Sequence, residues 1–287
     1  MSAGRSPTIA VSTWSLHRTV GLTWWDKPGE PATEKEAYGK GSVKVLDLPA
    51  AVKKHGIPNL QLGHFHVPKR DKAWLREFRA AAKDAGVTIT SLLVDDGDPS
   101  NAATHKRDVA WINQWVDLAA EVGAKTARVV AGKQKPSADT LALSVAGLKD
   151  IAAHGKSVGV RVITENWHDL LSSPKEVHHV LDAVGDDLGI LVDFGNWKGA
   201  GKYADLASIM PRGEDTHAKC SFSAKLNEPD AMDRNDYGKC VLIAADAGYD
   251  GPYTLIYDGP DDDEWAGLAM EAQFIRDTLA SASRKIA

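Results

Sequence analysis

The chain has 287 residues, 43% of them hydrophobic, two cysteines and a formal net charge of -5. That length and apolar content can bury one large core, and the acidic balance argues against a nucleic-acid partner gripped through a basic face. Cys220 and Cys240 stand in no Cys-x-x-Cys arrangement, so neither a disulfide framework nor a thiolate zinc site is indicated. The N-terminus lacks the apolar core of a secretory signal, and no run approaches the roughly 18 apolar residues of a membrane span. The expected location is cytoplasmic, with no membrane partner.

Short β-branched runs alternate with helical patterns along the chain. Residues 8–14 read as the first strand, and the polar, glycine- and proline-rich segment 15–42 after it reads as a long lid loop. A helix over about 43–55 leads to a second strand at 59–65. A helix at 71–85, closed by Gly86, precedes a third strand at 87–94. A helix at 104–122 stops at Gly123 before a fourth strand at 126–131. Ser137 caps a helix to about 157 that carries Leu141, Val145, Leu148 and Ile151 at helical spacing. The fifth strand ends at Glu165. Ser173-Pro-Lys-Glu176 reads as a capping box opening a helix that ends near Gly185. The sixth strand carries Asp193, a short helix spans about 203–209, and the seventh strand carries His217. A helix at 236–247, a strand at 253–257 and a helix at 264–280 complete the pattern. Eight strands, each followed by a helix, predict an α/β fold: a single (β/α)8 TIM barrel forming one domain over 1–287, the barrel itself spanning about 8–280.

Barrel active sites lie at the carboxyl ends of the strands. Three consecutive strands end in Glu165, Asp193 and His217, and parallel neighbours stand only about 5 Å apart. Two hard oxygen ligands and one nitrogen suit one divalent metal ion: Mn, Mg, Zn or Fe. The two-residue period puts Arg161, Ile163 and Glu165 on one face, and likewise His217 and Lys219. Taken singly, each of the three reads as readily as a side chain satisfying a neighbouring loop; the metal reading rests on the set.

With Ser12-Thr-Trp-Ser-Leu-His17, Gly63-His-Phe-His-Val-Pro68, Ala127-Arg-Val-Val-Ala-Gly132, Thr164-Glu-Asn166, Asp193-Phe-Gly-Asn196 and His217-Ala-Lys219 in order, the chain resembles the xylose isomerase-like TIM-barrel superfamily. Within it, the chain is similar to the sugar phosphate isomerase/epimerase group, over essentially Ile9 to Thr278. The resemblance implies one divalent metal held by Glu, Asp, His and a second Glu, with a sugar or keto-sugar in the barrel mouth. The first three map onto Glu165, Asp193 and His217. Two positions depart. Ile256 stands where the resemblance expects the second Glu, which in ketose epimerases is both a ligand and one of two acid/base carboxylates. Asn196 stands where many members have a His, which sets the chain apart from the DNA-repair endonuclease branch.

Further candidates carry two readings each. Asp258, one inward step beyond Ile256, is a fourth metal ligand if the strand end curls inward, or a turn residue before Gly-Pro. Lys219 stabilises an oxyanion, transfers a proton if burial lowers its pKa, or reaches solvent. His64 and His66 share a face at the end of the second strand; the resemblance favours His66 as a sugar contact or base, against a structural imidazole. Arg128 is a costly inward charge that anchors Glu165 or the substrate, or pairs with an outer helix. Asn166 and Asn196 bind sugar hydroxyls or backbone at tight turns. Trp14, Trp24, Trp25, Trp167 and Trp197 fall at strand ends or in the lid, where aromatic faces suit sugars, although some serve as core. With the second Glu absent, the base is Glu165, Lys219 or His66. The resulting expectation is a metal-dependent isomerase or epimerase acting on a sugar, polyol or keto-sugar through an enediolate. The alternatives are a lyase or deglycosidase on a keto-glycoside, and a non-catalytic sugar-binding barrel that has lost a ligand, either as a homo-oligomer or beside a partner subunit.

Overall fold

A computed structural model describes residues 6–68 and 70–286. The chain enters through β1 (Ile9–Ser12) and a single helical turn, α1 (His17–Val20), then forms a hairpin of β2 (Leu22–Lys27) and β3 (Glu30–Glu36). Regular alternation follows: α2 (Leu48–Lys54), β4 (Asn59–Gly63), α3 (Lys72–Ala85), β5 (Thr88–Val94), α4 (His105–Val122), β6 (Thr126–Val129), α5 (Ala138–Val158) and β7 (Arg161–Glu165). Then come α6 (Pro174–Val184), β8 (Leu188–Asp193), α7 (Lys202–Ile209), β9 (Gly213–Lys219), α8 (Arg234–Asp246), β10 (Tyr253–Ile256) and α9 (Glu264–Ile286). β1 and β4 to β10 close a parallel barrel in which sequence neighbours pair and β10 returns to β1. The barrel read from the sequence is the one formed.

Every residue of β8 is buried, as a parallel strand with helices outside and side chains inside requires. Leu148 and Ile151 of α5 point into that core, with Leu141 and Val145 half-buried beside it. Gly86 and Gly123 end α3 and α4 in the left-handed conformation (φ 66° and 78°), where a Cβ is strained. No helix of the described residues is long and apolar enough to cross a membrane.

Two local expectations change. The lid segment is an ordered hairpin: Trp25 stacks on Phe65 with centroids 4.4 Å apart, Trp115 Nε1 donates to Asp26 at 3.1 Å, and Arg70 pairs with Asp26. Thr23-Trp24-Trp25 has the β-branched and aromatic character of a strand, which the surrounding glycines and prolines mask. The capping box at Ser173 does not form: its hydroxyl donates to the Glu176 carboxylate and its oxygen accepts from no helix N–H among the described residues.

Candidate metal centre and its pocket

β7, β8 and β9 are neighbours, and their ends bring one donor atom each from Glu165, Asp193 and His217 within 4.8 Å of one another. All three residues are buried. His217 Nδ1 stands 3.6 Å from both Glu165 Oε1 and Asp193 Oδ2. Its other nitrogen, Nε2, lies 2.9 Å from Gln61 Oε1. Gln61 has its amide orientation set in turn, because its Nε2 donates to Asp215 Oδ2 (2.8 Å) and Thr254 Oγ1 (3.1 Å). With the amide oxygen facing the ring, Nε2 keeps its proton, so an ion at the centre would displace only the Nδ1 proton that faces the carboxylates and take that lone pair, the arrangement a metal-binding imidazole needs. The donor set and this tautomer fit a divalent ion.

Each carboxylate is braced from behind. Asp193 Oδ1 accepts from the backbone N–H groups of Gly195 (2.6 Å) and Asn196 (2.7 Å), leaving Oδ2 for the centre. Glu165 Oε1 accepts from Asn196 Nδ2 at 2.8 Å, and Oε2 lies 3.1 Å from Arg128 Nε. Arg128 is buried, ion-paired to Asp95 as well, and lies over Trp167, 5.3 Å from the ring centroid. Burial would raise the Glu165 carboxyl, but Arg128 and then His217 hold it down at about 2. Burial opposes charge on His217, yet Glu165 and Asp193 carry it up to about 9.

The centre forms one wall of a cavity of about 310 Å³ lined also by Trp14, His17, Tyr38, Arg128, Trp167 and Asn196. Lys219, Ile256, Tyr257 and Asp258 line it towards β9 and β10. Trp14 is fixed by Nε1 donating to Asp95 Oδ2 at 3.0 Å.

Several sequence candidates stand elsewhere. Asp258 is outside the metal group: it is half-exposed and pairs with Lys219 Nζ at 2.5 Å, so the strand end reaches a cation and does not curl to the centre. Ile256 is level with Lys219 in the β9–β10 register, and the strand residue level with His217 is Thr254. Burial would lower the Lys219 pKa, but Asp258 raises it above its ordinary value, which makes Lys219 a donor and not a base. His64 is a buried brace, with Nδ1 accepting from the Asp95 N–H (3.3 Å) and Nε2 near Asp26 O (3.2 Å). His66 is fully buried, off the cavity wall behind His17, with centroids 5.1 Å apart, so it is not placed to act as base. Asn166 spends its amide on the Asp193 backbone, accepting at 2.7 Å and donating at 3.1 Å, which removes it as a hydroxyl contact. Trp197 is core, its Nε1 donating to Leu171 O at 3.0 Å. Trp24 bonds Glu34 on the hairpin, and Trp25 packs on Phe65. Sequence reasoning missed Gln61, Asp215 and His17. An inward polar residue in Asn59-Leu-Gln-Leu, and the shared parity of Asp215 and His217, were the available signals for the first two.

The family model described as xylose isomerase-like TIM barrel matches residues 49–278. No curated protein sequence matches the chain. Among solved structures, an L-ribulose 3-epimerase aligns with a TM-score of 0.72 at 16% identity, covering 98% of this chain and 97% of its own. A xylose isomerase-like TIM barrel protein from Mycobacterium smegmatis, in complex with magnesium, aligns at 0.66 and 16%, covering 99% of each chain. A D-psicose 3-epimerase determined in the presence of D-fructose aligns at 0.61 and 16%, covering 96% and 98%. At these identities the likeness speaks for the fold.

Proposed function

We propose that this chain, which belongs to the xylose isomerase-like TIM-barrel family, holds one divalent metal at Glu165, Asp193 and His217 and acts on a sugar, polyol or keto-sugar by moving a proton beside a carbonyl. The observation that carries this reading is the His217 ring, whose Nε2 is committed to Gln61 while Nδ1 faces two buried carboxylates. When bound, the ion would polarise a substrate carbonyl and favour the enediolate left by proton removal. In this reading Glu165 takes the proton. Arg128 and Asn196 hold its carboxylate in position, and a bound substrate would exclude water from their contacts. Lys219, kept protonated by Asp258, donates towards a developing oxyanion.

Among the described carboxylates of the cavity outside Asp193, Glu165 is the one that faces the centre. Asp258 is tied to Lys219, and Glu264 accepts the backbone N–H groups of Arg18 and Thr19, both at 2.8 Å. Isomerisation and elimination need one base, whereas epimerisation needs a second group on the opposite face of the carbon. Ile256, apolar on the cavity wall, therefore favours a lyase or deglycosidase as the second reading over a two-carboxylate epimerase. The metal centre is tested by elemental analysis and Mn²⁺ titration of the wild type, Glu165→Gln and His217→Ala. Near-stoichiometric metal in the wild type and its loss in both variants is expected; equal, negligible metal in all three refutes the proposal.

A further inference from the structure

His17 is 8% exposed, and both its ring nitrogens are buried without a hydrogen-bond partner among the described residues. A buried polar group left unpaired is destabilising, so an imidazole retained on a cavity wall points to a ligand that satisfies it. Four rings fix the imidazole: Tyr38 stacks on it (4.4 Å, 20°), Trp14 meets it edge-on (5.1 Å, 88°), His66 lies behind it at 5.1 Å and Phe65 lies tilted at 5.3 Å. His17 follows β1, which stands four places from β7 in the ring of eight strands, so it occupies the rim opposite Glu165. Burial holds its pKa down at about 4, with Asp95 opposing and Arg18 adding to the effect. At neutral pH the ring therefore offers one donor and one acceptor and no charge.

Each cation around it already has a carboxylate partner. Among the described residues, the cavity is lined by three cations and four carboxylates. Arg18 pairs with Asp262 (3.4 Å) and Glu264 (3.8 Å), Arg128 with Asp95 and Glu165, and Lys219 with Asp258. A phosphate or carboxylate on the substrate's far end would meet a neutral imidazole, aromatic rings and the Glu264 carboxylate, and the one cation beside His17, Arg18, is already engaged by Glu264 and by the Gly259 carbonyl (3.1 Å), so a counter-charge would come only at the expense of those contacts. A hydroxyl there gains both a donor and an acceptor.

We propose that the cavity takes an unphosphorylated, uncharged sugar, and that His17 reads a hydroxyl at the end of that sugar remote from Glu165. This rests on the sugar-site reading above and goes further by fixing the charge class and naming a contact outside the metal centre. The test is calorimetric titration of Mn²⁺-loaded wild type, His17→Phe and His17→Gln with D-fructose, L-ribulose and D-fructose 6-phosphate. The neutral ketoses are expected to bind the wild type, with D-fructose 6-phosphate at least tenfold weaker than D-fructose. His17→Phe should weaken ketose binding about tenfold while leaving Mn²⁺ affinity unchanged, and His17→Gln, which keeps a donor and an acceptor, should recover part of the loss. His17→Phe should melt no lower than the wild type, since it removes two orphaned nitrogens; if it fails to fold, His17→Gln against the wild type carries the comparison. Ketose binding that is equal in wild type and His17→Phe overturns the role of His17 while the sugar reading survives. Tighter binding of the phosphate overturns the charge class. Mn²⁺ binding with no response to any of the three sugars overturns the sugar reading, and this proposal with it.

Discussion

Replacing Gln61 by Met tests whether the His217 tautomer is set from behind. Gln61 is wholly buried on β4, 156 residues away from His217 in sequence, and its Oε1 is the acceptor for the His217 Nε2 proton at 2.9 Å. Its own Nε2 is anchored by Asp215 and Thr254 at 2.8 and 3.1 Å, so the amide cannot rotate without losing both contacts. Methionine keeps the length and removes all three hydrogen bonds. The imidazole then loses its reason to hold the proton on Nε2, and Nδ1 is no longer reserved for the metal. Loss of such a partner weakens metal binding about 10- to 100-fold, equivalent to roughly 1.4–2.7 kcal/mol. The assay is isothermal titration of Mn²⁺ into the metal-free wild type and Gln61→Met, with circular dichroism as the check on folding. A folded variant with unchanged Mn²⁺ affinity would refute the argument that Gln61 sets this ligand.

Three other outcomes follow from the same geometry. Arg128→Met leaves Asp95 and Glu165 as buried, unpaired carboxylates and should cost about 3–5 kcal/mol in denaturant unfolding; a loss under 1 kcal/mol would show that the pairs are not what holds this charge inside. Asp258→Ala should leave Mn²⁺ affinity within about twofold, because Asp258 faces Lys219 and not the centre; a loss near 100-fold would restore it as a ligand. Glu271 is completely buried on α9 with neither carboxyl oxygen hydrogen-bonded among the described residues, and burial raises its pKa well above 4.5. The native state therefore keeps a proton that the unfolded chain gives up. The associated stability is full below the unfolded value and is lost as pH rises towards the folded one, at up to about 1.4 kcal/mol per pH unit. Unfolding of Glu271→Gln across pH 4–8 should lack that decline, and parallel curves for the two proteins would contradict it.

The sequence by itself determined the barrel and the identity of the central trio. Strand and helix periods are local properties, and their alternation admits few closed arrangements. Glu165, Asp193 and His217 were legible because each ends a consecutive strand, and neighbouring parallel strands place their ends together whatever the details of register. What surrounds the trio depended on closure of the ring, which joins residues far apart in the chain. Gln61 on β4 reaches His217 and Asp215 on β9 across the barrel interior, and the rim left by β1 brings His17 to the wall opposite Glu165. Loop direction was equally invisible. Asn166 and Asp258 have the chemistry of site residues, yet one turns to the backbone of β8 and the other to Lys219. A two-residue period says which side of a strand a side chain leaves; where that side chain ends once the strand has ended is decided by the partner it finds, and only the folded barrel supplies that partner.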